Sequence, residues 1–319
     1  MITVLTGGTG GAKFVDGLRR TVPPNELTII VNTGDDFEWW GLRISPDVDS
    51  IAYVLADLLS KERGWGVQDD TFLCLDRMKN MGQPAWFQLG DRDLAVHLLR
   101  TQLINNRKTL AEATAEITAS LGIKATVLPM SNDSVETRVK TPAGEISFQE
   151  YFVKRRYRDE VKSVHFCGVE TSTPAPGVLD AILSAEAVLI APSNPITSIG
   201  PVLAVPGIRQ ALCQTSAPVV AISPIVGGSA VSGPAGALMT SRGLPVSLAG
   251  VAKAYEDFLD VLIADNRDAE EAATLRQPGL NVRCTNTIMK MPQDRIDLAK
   301  AVLEDISVRR AKSPTSVTV

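Results

Sequence analysis

The sequence predicts an α/β fold: a doubly wound, mainly parallel sheet with a helix-and-hairpin insertion. Three observations carry that expectation. The chain opens on a β-prone run, Met1–Leu5, followed at once by the stretch Thr6-Gly7-Gly8-Thr9-Gly10-Gly11-Ala12-Lys13 and a helix-compatible segment. Short, continuously apolar runs recur at Leu27–Asn32, Ala187–Ala191 and Val219–Ser223, as in strands covered on both faces. Segments with helical spacing separate these runs, and strand–helix alternation favours a parallel, Rossmann-like sheet.

The opening stretch organises the chain. Glycine carries a high backbone entropy cost inside helices and strands, so the four glycines are expected in a tight turn. Such a turn brings backbone N–H groups close to an anion, with a helix over 12–20 starting behind it. Two known fingerprints fail here. The dinucleotide pattern started at Gly8 meets Lys13 where its third glycine belongs, and the phosphate-loop pattern started at Gly7 meets Ala12 and Phe14 at fixed positions. A plain strand-to-helix turn with a solvated Lys13 stays open as the alternative.

After the strand at Leu27–Asn32 comes a loop rich in acids and aromatics, Thr33–Leu42. Ser45-Pro46-Asp47-Val48-Asp49 then leads into a helix through Leu59, with Asp47 or Asp49 placed to cap it. Helices are expected at Leu94–Ile104 and Thr109–Leu121, beyond the charged turn Gly90-Asp91-Arg92-Asp93. Short alternating runs at Ala125–Val127, Val135–Thr141 and Glu145–Phe148 follow, the last two joined by the turn Pro142-Ala143-Gly144. Alternation then resumes with strands at Val161–Phe166, Ala187–Ala191, Val219–Ser223, Val261–Asp265 and Leu280–Cys284, and a closing helix at Asp294–Leu303. These boundaries give a nucleotide-binding core of residues 1–60 and 159–308, an inserted region of 61–158, and a disordered tail of 309–319.

Composition narrows the function. The 319 residues carry a net charge of −4, against the basic face that broad nucleic-acid binding needs. No apolar run reaches the roughly 18 residues of a membrane span. A chain that begins directly on a strand is expected to lack a signal peptide and to work in the cytoplasm. Cys74, Cys167, Cys213 and Cys284 form no C-x-x-C pair and sit in or beside apolar stretches, which points to buried free thiols and against a metal site or disulfide framework. Of the two histidines, His165 reads as packing in a strand and His97 as a weak site candidate on a helix.

Ligands of an open parallel sheet bind beyond the carboxyl ends of its strands. The loops expected there are 6–13, 32–49, 192–201 and 223–236. Together they offer a glycine cradle, an acidic loop and two turns rich in Pro, Gly, Ser and Asn. That set suits a diphosphate with a hard divalent cation, the carboxylates of Asp35, Asp36, Asp47 and Asp49 supplying oxygen ligands. Each piece also has a plainer reading, as helix cap, solvated turn or loop turn. Trp39, Trp40 and Trp86 fit either core packing or a flat aromatic ligand.

At this point the residues carry a resemblance. The blocks Leu5–Lys13, Val31–Asp36, Ser45–Asp49, Leu89–Asp93, Leu128–Ser131, Ala191–Pro201 and Ser223–Gly227 resemble, in order, the 2-phospho-L-lactate transferase family of coenzyme F420 biosynthesis, whose bacterial counterpart is phosphoenolpyruvate transferase. The resemblance implies Mg²⁺-dependent transfer of 2-phospho-L-lactate, or enolpyruvyl phosphate, from a diphosphoguanosine donor to the deazaflavin Fo, giving the F420 core (F420-0) and GMP. It further implies Thr6, Gly7, Gly8, Thr9, Gly10, Gly11, Lys13, Ser193, Asn194 and Gly200 at the donor, and Asp35, Asp36 and Asp47 at the metal. Asp35, Asp36 and Asp49 would be the catalytic acids, with Asp49, Gln88, Asp91 and Arg92 at Fo and Trp39 or Trp86 on its ring. The partners are two small-molecule substrates, with no nucleic acid and no membrane, and a homodimer is compatible. The competing readings are a non-enzymatic nucleotide-sugar-binding regulator of similar fold and, behind it, a dehydrogenase.

Overall fold

The computed structural model describes residues 1–312. Along the chain, β1 (Ile2–Thr6) leads into α1 (Gly8–Leu18) and β2 (Leu27–Val31). A small hairpin, β3 (Phe37–Trp39) and β4 (Leu42–Ile44), precedes α2 (Pro46–Leu55). Then come α3 (Leu73–Asn80), α4 (Asp91–Asn105), α5 (Leu110–Ser120), β5 (Thr126–Pro129), β6 (Glu136–Thr141), β7 (Gly144–Ser147) and β8 (Ser163–Cys167). The second half runs α6 (Val178–Leu183), β9 (Ala187–Ile190), α7 (Gly200–Ala204), α8 (Ile208–Gln214), β10 (Val219–Ile222), β11 (Ile225–Val226), β12 (Ser229–Ala230), α9 (Ala235–Ser241) and α10 (Leu248–Ala254). It closes with β13 (Val261–Asp265), α11 (Ala269–Leu275), β14 (Asn281–Thr285) and α12 (Pro292–Lys312).

Seven strands form one parallel sheet in the order β14-β13-β10-β9-β1-β2-β5. The chain winds outward from β1 through β2 to β5, then returns to β9 on the other side and winds the opposite way. The switch point therefore lies between β1 and β9, and a crevice opens beyond their carboxyl ends. Successive side chains alternate between faces, which sorts the core into two layers. Val4, Ile29 and Leu189 pack with Phe14, Leu18, Ile51 and Leu298 under α1, α2 and α12. Leu5, Ile30, Val188 and Ile190 face the other layer, with Ile182, Val202 and Leu212.

The expected α/β doubly wound architecture is present, with local corrections. The segment Thr126–Pro129, expected in the insertion, pairs in parallel with β2 as an edge strand of the main sheet. The strand expected at Val161–Phe166 instead joins β6 and β7 in a separate antiparallel sheet, order β7-β6-β8. Both are short and half-exposed, so their hydrophobic pattern does not say which sheet they join. Of the expected tail, residues 309–312 continue α12, and 313–319 lie outside the described residues. Thr109 caps α5 through a reciprocal capping box with Glu112, as its spacing suggests. No helix among the described residues is long and apolar enough to cross a membrane.

Candidate functional site

The glycines after β1 do not form a turn that precedes the helix. Gly7 is the N-cap in extended conformation, and α1 already begins at Gly8, whose φ of 67° requires glycine. Tertiary contact outweighs helix propensity here. A Cβ at Gly10 would strike the Pro192 carbonyl oxygen, and one at Gly11 would strike Thr6 and lie 2.7 Å from Ser193 Oγ. A Cβ at Gly7 would lie 2.8 Å from Asp47 Oδ2. The first turn of α1 is thus pressed between the loop after β9 and the start of α2. Its amides at Thr9 and Gly10, like those of any helix start, have no partner within the helix.

Asp47 and Asn32 fasten this arrangement. Gly8 N–H donates to Asp47 Oδ1 at 2.7 Å, and Asn32 Nδ2 donates to Asp47 Oδ2 at 2.9 Å. Asn32 also donates to the Thr197 carbonyl and accepts from Gly34 N–H, tying β2, the loop after β9 and the acidic loop together. Asp47 was expected among the metal ligands, but both its oxygens serve these bonds. Neither Asp47 nor Asp49 caps α2, whose N-cap is Ser45 with no side-chain bond to the helix.

Asp35 and Asp36 sit differently. Asp35 is buried and Asp36 half-buried, yet Asp35 Oδ1 and Asp36 Oδ1 are each shut off from water without a hydrogen-bond partner. Ser45 Oγ donates to Asp36 Oδ2 at 2.5 Å. Burial pushes both carboxyls well above the usual range, and the charge of Asp47 adds to this for Asp35. Asp47 is raised as well, again by burial, against the bonds from Asn32 and Gly8. Buried carboxylate oxygens with no donor fit a hard divalent cation, which takes oxygen ligands and offsets their repulsion. Asp35 and Asp36 are the residues present that fit Mg²⁺.

Asp49 is held by a cation. Arg100, fully buried on α4, grips both Asp49 oxygens, with the Nη1–Oδ2 distance at 3.1 Å. His97 Nδ1 lies 3.5 Å from Asp49 Oδ2, and its Nε2 lies 3.2 Å from Asp93 Oδ1. Tyr53 donates to the same Asp93 oxygen. Burial would raise the Asp93 carboxyl, but His97, Tyr53 and Arg100 together hold it below the usual range. Arg100 and Asn32 were missed by sequence reasoning. The available signal was Asp93, His97 and Arg100 at i, i+4 and i+7, one polar face of α4.

The other expected residues are placed as follows. Ser193 joins the cradle, its Oγ accepting from Gly7 N–H at 3.4 Å. Asn194 folds its own loop, accepting from Ile196 N–H at 2.9 Å. Gly200 starts α7 and opens on a cleft of about 350 Å³ lined by Phe166, Pro195 and Leu203, away from the cradle. Lys13 is half-buried and has no ion pair among the described residues. Asp91 caps α3, accepting from Leu73 and Cys74 N–H at 2.9 Å. Arg92 and Gln88 are exposed. Trp39 and Trp86 pack edge to face at 4.7 Å in an aromatic cluster with Phe37 and Phe87. The cysteines are free but not buried: Cys167 and Cys213 are exposed, Cys74 and Cys284 half-buried. His165 is likewise half-exposed, paired with Glu145, and is no core residue.

A glycine cradle and buried carboxylates at the switch point of a doubly wound sheet are the features of an α/β protein whose ligand site lies at that switch point. A profile of the family described as 2-phospho-L-lactate transferase CofD matches residues 2–299, and the chain belongs to that family. It is 44% identical to the 2-phospho-L-lactate transferase of Methanococcoides burtonii, covering 94% of this chain and 97% of the relative. The corresponding protein of Methanocaldococcus jannaschii is 43% identical over 95% of this chain and 97% of its own length. A Streptomyces griseus relative, 40% identical over the same shares of each chain, is named phosphoenolpyruvate transferase. Among solved structures, a UPF0052-family protein of Bacillus halodurans superposes with a TM-score of 0.65 at 19% identity, covering 95% of this chain and 98% of that one. That likeness concerns the fold. The family membership decides for an enzyme over a non-enzymatic regulator or a dehydrogenase.

Proposed function

We propose that the chain transfers 2-phospho-L-lactate, or enolpyruvyl phosphate, from its diphosphoguanosine donor to the ribityl hydroxyl of the deazaflavin Fo, forming F420-0 and releasing GMP. The observation that carries this reading is the pair of unpartnered carboxylate oxygens on Asp35 and Asp36 beside the first turn of α1, in a chain whose relatives are named as such transferases. The first-turn amides and Lys13 hold the donor diphosphate, with Ser193 and Asn194 toward its guanosine end. Asp47 and Asn32 keep the cradle rigid. Asp35 and Asp36 hold Mg²⁺, which when bound neutralises charge on the transferred phosphoryl group. The acceptor oxygen bonds to phosphorus as the bond to the GMP oxygen breaks. The hydroxyl proton passes to a carboxylate of the acid cluster, and Asp36, which accepts a hydrogen bond from Ser45, is the candidate for it.

On this reading Asp49, held at both oxygens by Arg100, keeps the acceptor side of the site in shape, and the exposed Gln88 and Arg92 contribute to Fo binding. Positioning of this kind supplies much of the acceleration where no covalent nucleophile is needed. The test incubates purified protein with Mg²⁺, Fo and each of the two donors, and follows F420-0 by mass and GMP by chromatography. Product from one or both donors is expected. Absence of F420-0 with both, alongside an active control enzyme, overturns the reading.

A further inference from the structure

The antiparallel sheet meets the acidic loop through Thr137, whose N–H donates to the Gly34 carbonyl; on its opposite face, Glu145 on β7 and His165 and Cys167 on β8 bring one carboxylate oxygen, one imidazole nitrogen and one thiol within 4.8 Å of one another. We propose that these three side chains form a binding site for a borderline-soft divalent transition metal of the Zn²⁺ class, with an open position toward solvent.

The geometry of the strands makes the site. His165 and Cys167 are two residues apart, so both project from one face of β8. Between them Phe166 points the other way, against Gly200. His165 Nε2 already lies 3.1 Å from Glu145 Oε2 across the intervening strand β6. Arg138, opposite His165 on β6, donates from Nε to Glu145 Oε1 at 3.3 Å and leaves Oε2 facing the imidazole. That outer contact fixes the carboxylate as a one-oxygen ligand. Glu136 lies directly opposite Cys167 and takes the other side of Arg138, so the guanidinium charge is offset within the sheet. Cys167 is free and exposed. Ligand bonds of about 2.0–2.3 Å are reached by small side-chain rotations from a trio this close. A mixed N, S and O donor set selects Zn²⁺ or its neighbours over Mg²⁺, which prefers oxygen alone.

The test titrates the reduced full-length protein with Co²⁺ in excess Mg²⁺, so that the oxygen-only cluster at Asp35 and Asp36 is occupied. A sulfur-to-cobalt charge-transfer band saturating at one equivalent, and displaced by Zn²⁺, is expected. Cys167→Ser should abolish the band, while His165→Ala and Glu145→Gln should each weaken binding by about tenfold or more. All three positions lie on an exposed or half-exposed sheet face, and circular dichroism checks that the variants fold. No band, or a band that persists in Cys167→Ser, overturns the site. A band lost in Cys167→Ser but unchanged in His165→Ala and Glu145→Gln reduces it to a lone thiol and overturns it equally.

Discussion

Arg100 carries the only guanidinium that grips an acid of the cluster among the described contacts, and Asp49 is the acid it grips. Removing one partner of a buried pair leaves an uncompensated charge, which costs about 3–5 kcal/mol. Arg100→Met is therefore expected to lower the urea midpoint strongly, and Asp49→Asn on top of it should recover a large part of that loss. A double variant no better than the single one would show that Arg100 acts through packing alone. Asp35 and Asp36 give a pH signature. Their folded pKa values lie above the unfolded value near 4, so the folded chain binds more protons there. Their contribution is fully present below that value and is lost as pH rises through the raised range. With divalent cations chelated, stability of the wild type should fall over that rise more steeply than stability of Asp35→Asn/Asp36→Asn. Equal slopes in urea titrations across pH 4–8 would contradict the assignment. The acidic loop was legible because paired acids beside a buried strand stand out in sequence. Arg100 was not, because its partner lies 51 positions away and only the fold joins them.

On the proposed function, donor binding depends on the first turn of α1. Gly10 and Gly11 are there because the Pro192 carbonyl and the Thr6 and Ser193 hydroxyls occupy the space a Cβ would take. Gly10→Ala meets rigid backbone, so the loop after β9 must move, at a cost of about 1–3 kcal/mol. The expected result is a KM for the donor raised at least tenfold, with the KM for Fo nearly unchanged. An unaltered donor KM would remove α1 from the donor site. By contrast, Thr109→Ala breaks the capping box of α5 and should cost about 1 kcal/mol of stability with no change in transfer. The sequence showed that these glycines mattered but not why, since local propensity argues against a helix that only the neighbouring loop explains. The hairpin β3–β4 and helix α3 were likewise hidden: one is three residues a side, and the other presents a single buried residue, Leu75.

At the scale of the molecule, the strand order sets the chemistry. Only at the β1–β9 switch do two crossovers diverge, and the conspicuous loops of the sequence, 6–13, 32–49 and 192–201, converge there. The core strands were readable from continuous apolar runs, which buried parallel strands need. The hairpin of β6 and β7 was readable from its turn, but the edge strand β5 and the strand β8 were assigned to the wrong sheets, because half-exposed strands look alike wherever they pair. The central claim is that Asp35 and Asp36 hold the cation that transfer needs beside the α1 cradle. The most direct measurement is GMP release against Mg²⁺ concentration, with Fo and donor saturating, for the wild type and for Asp36→Asn. Saturable dependence in the wild type and a loss of about a hundredfold or more in the variant, as for removal of a transition-state charge contact, is predicted. Release that is independent of Mg²⁺, or equal in the two proteins, would contradict it.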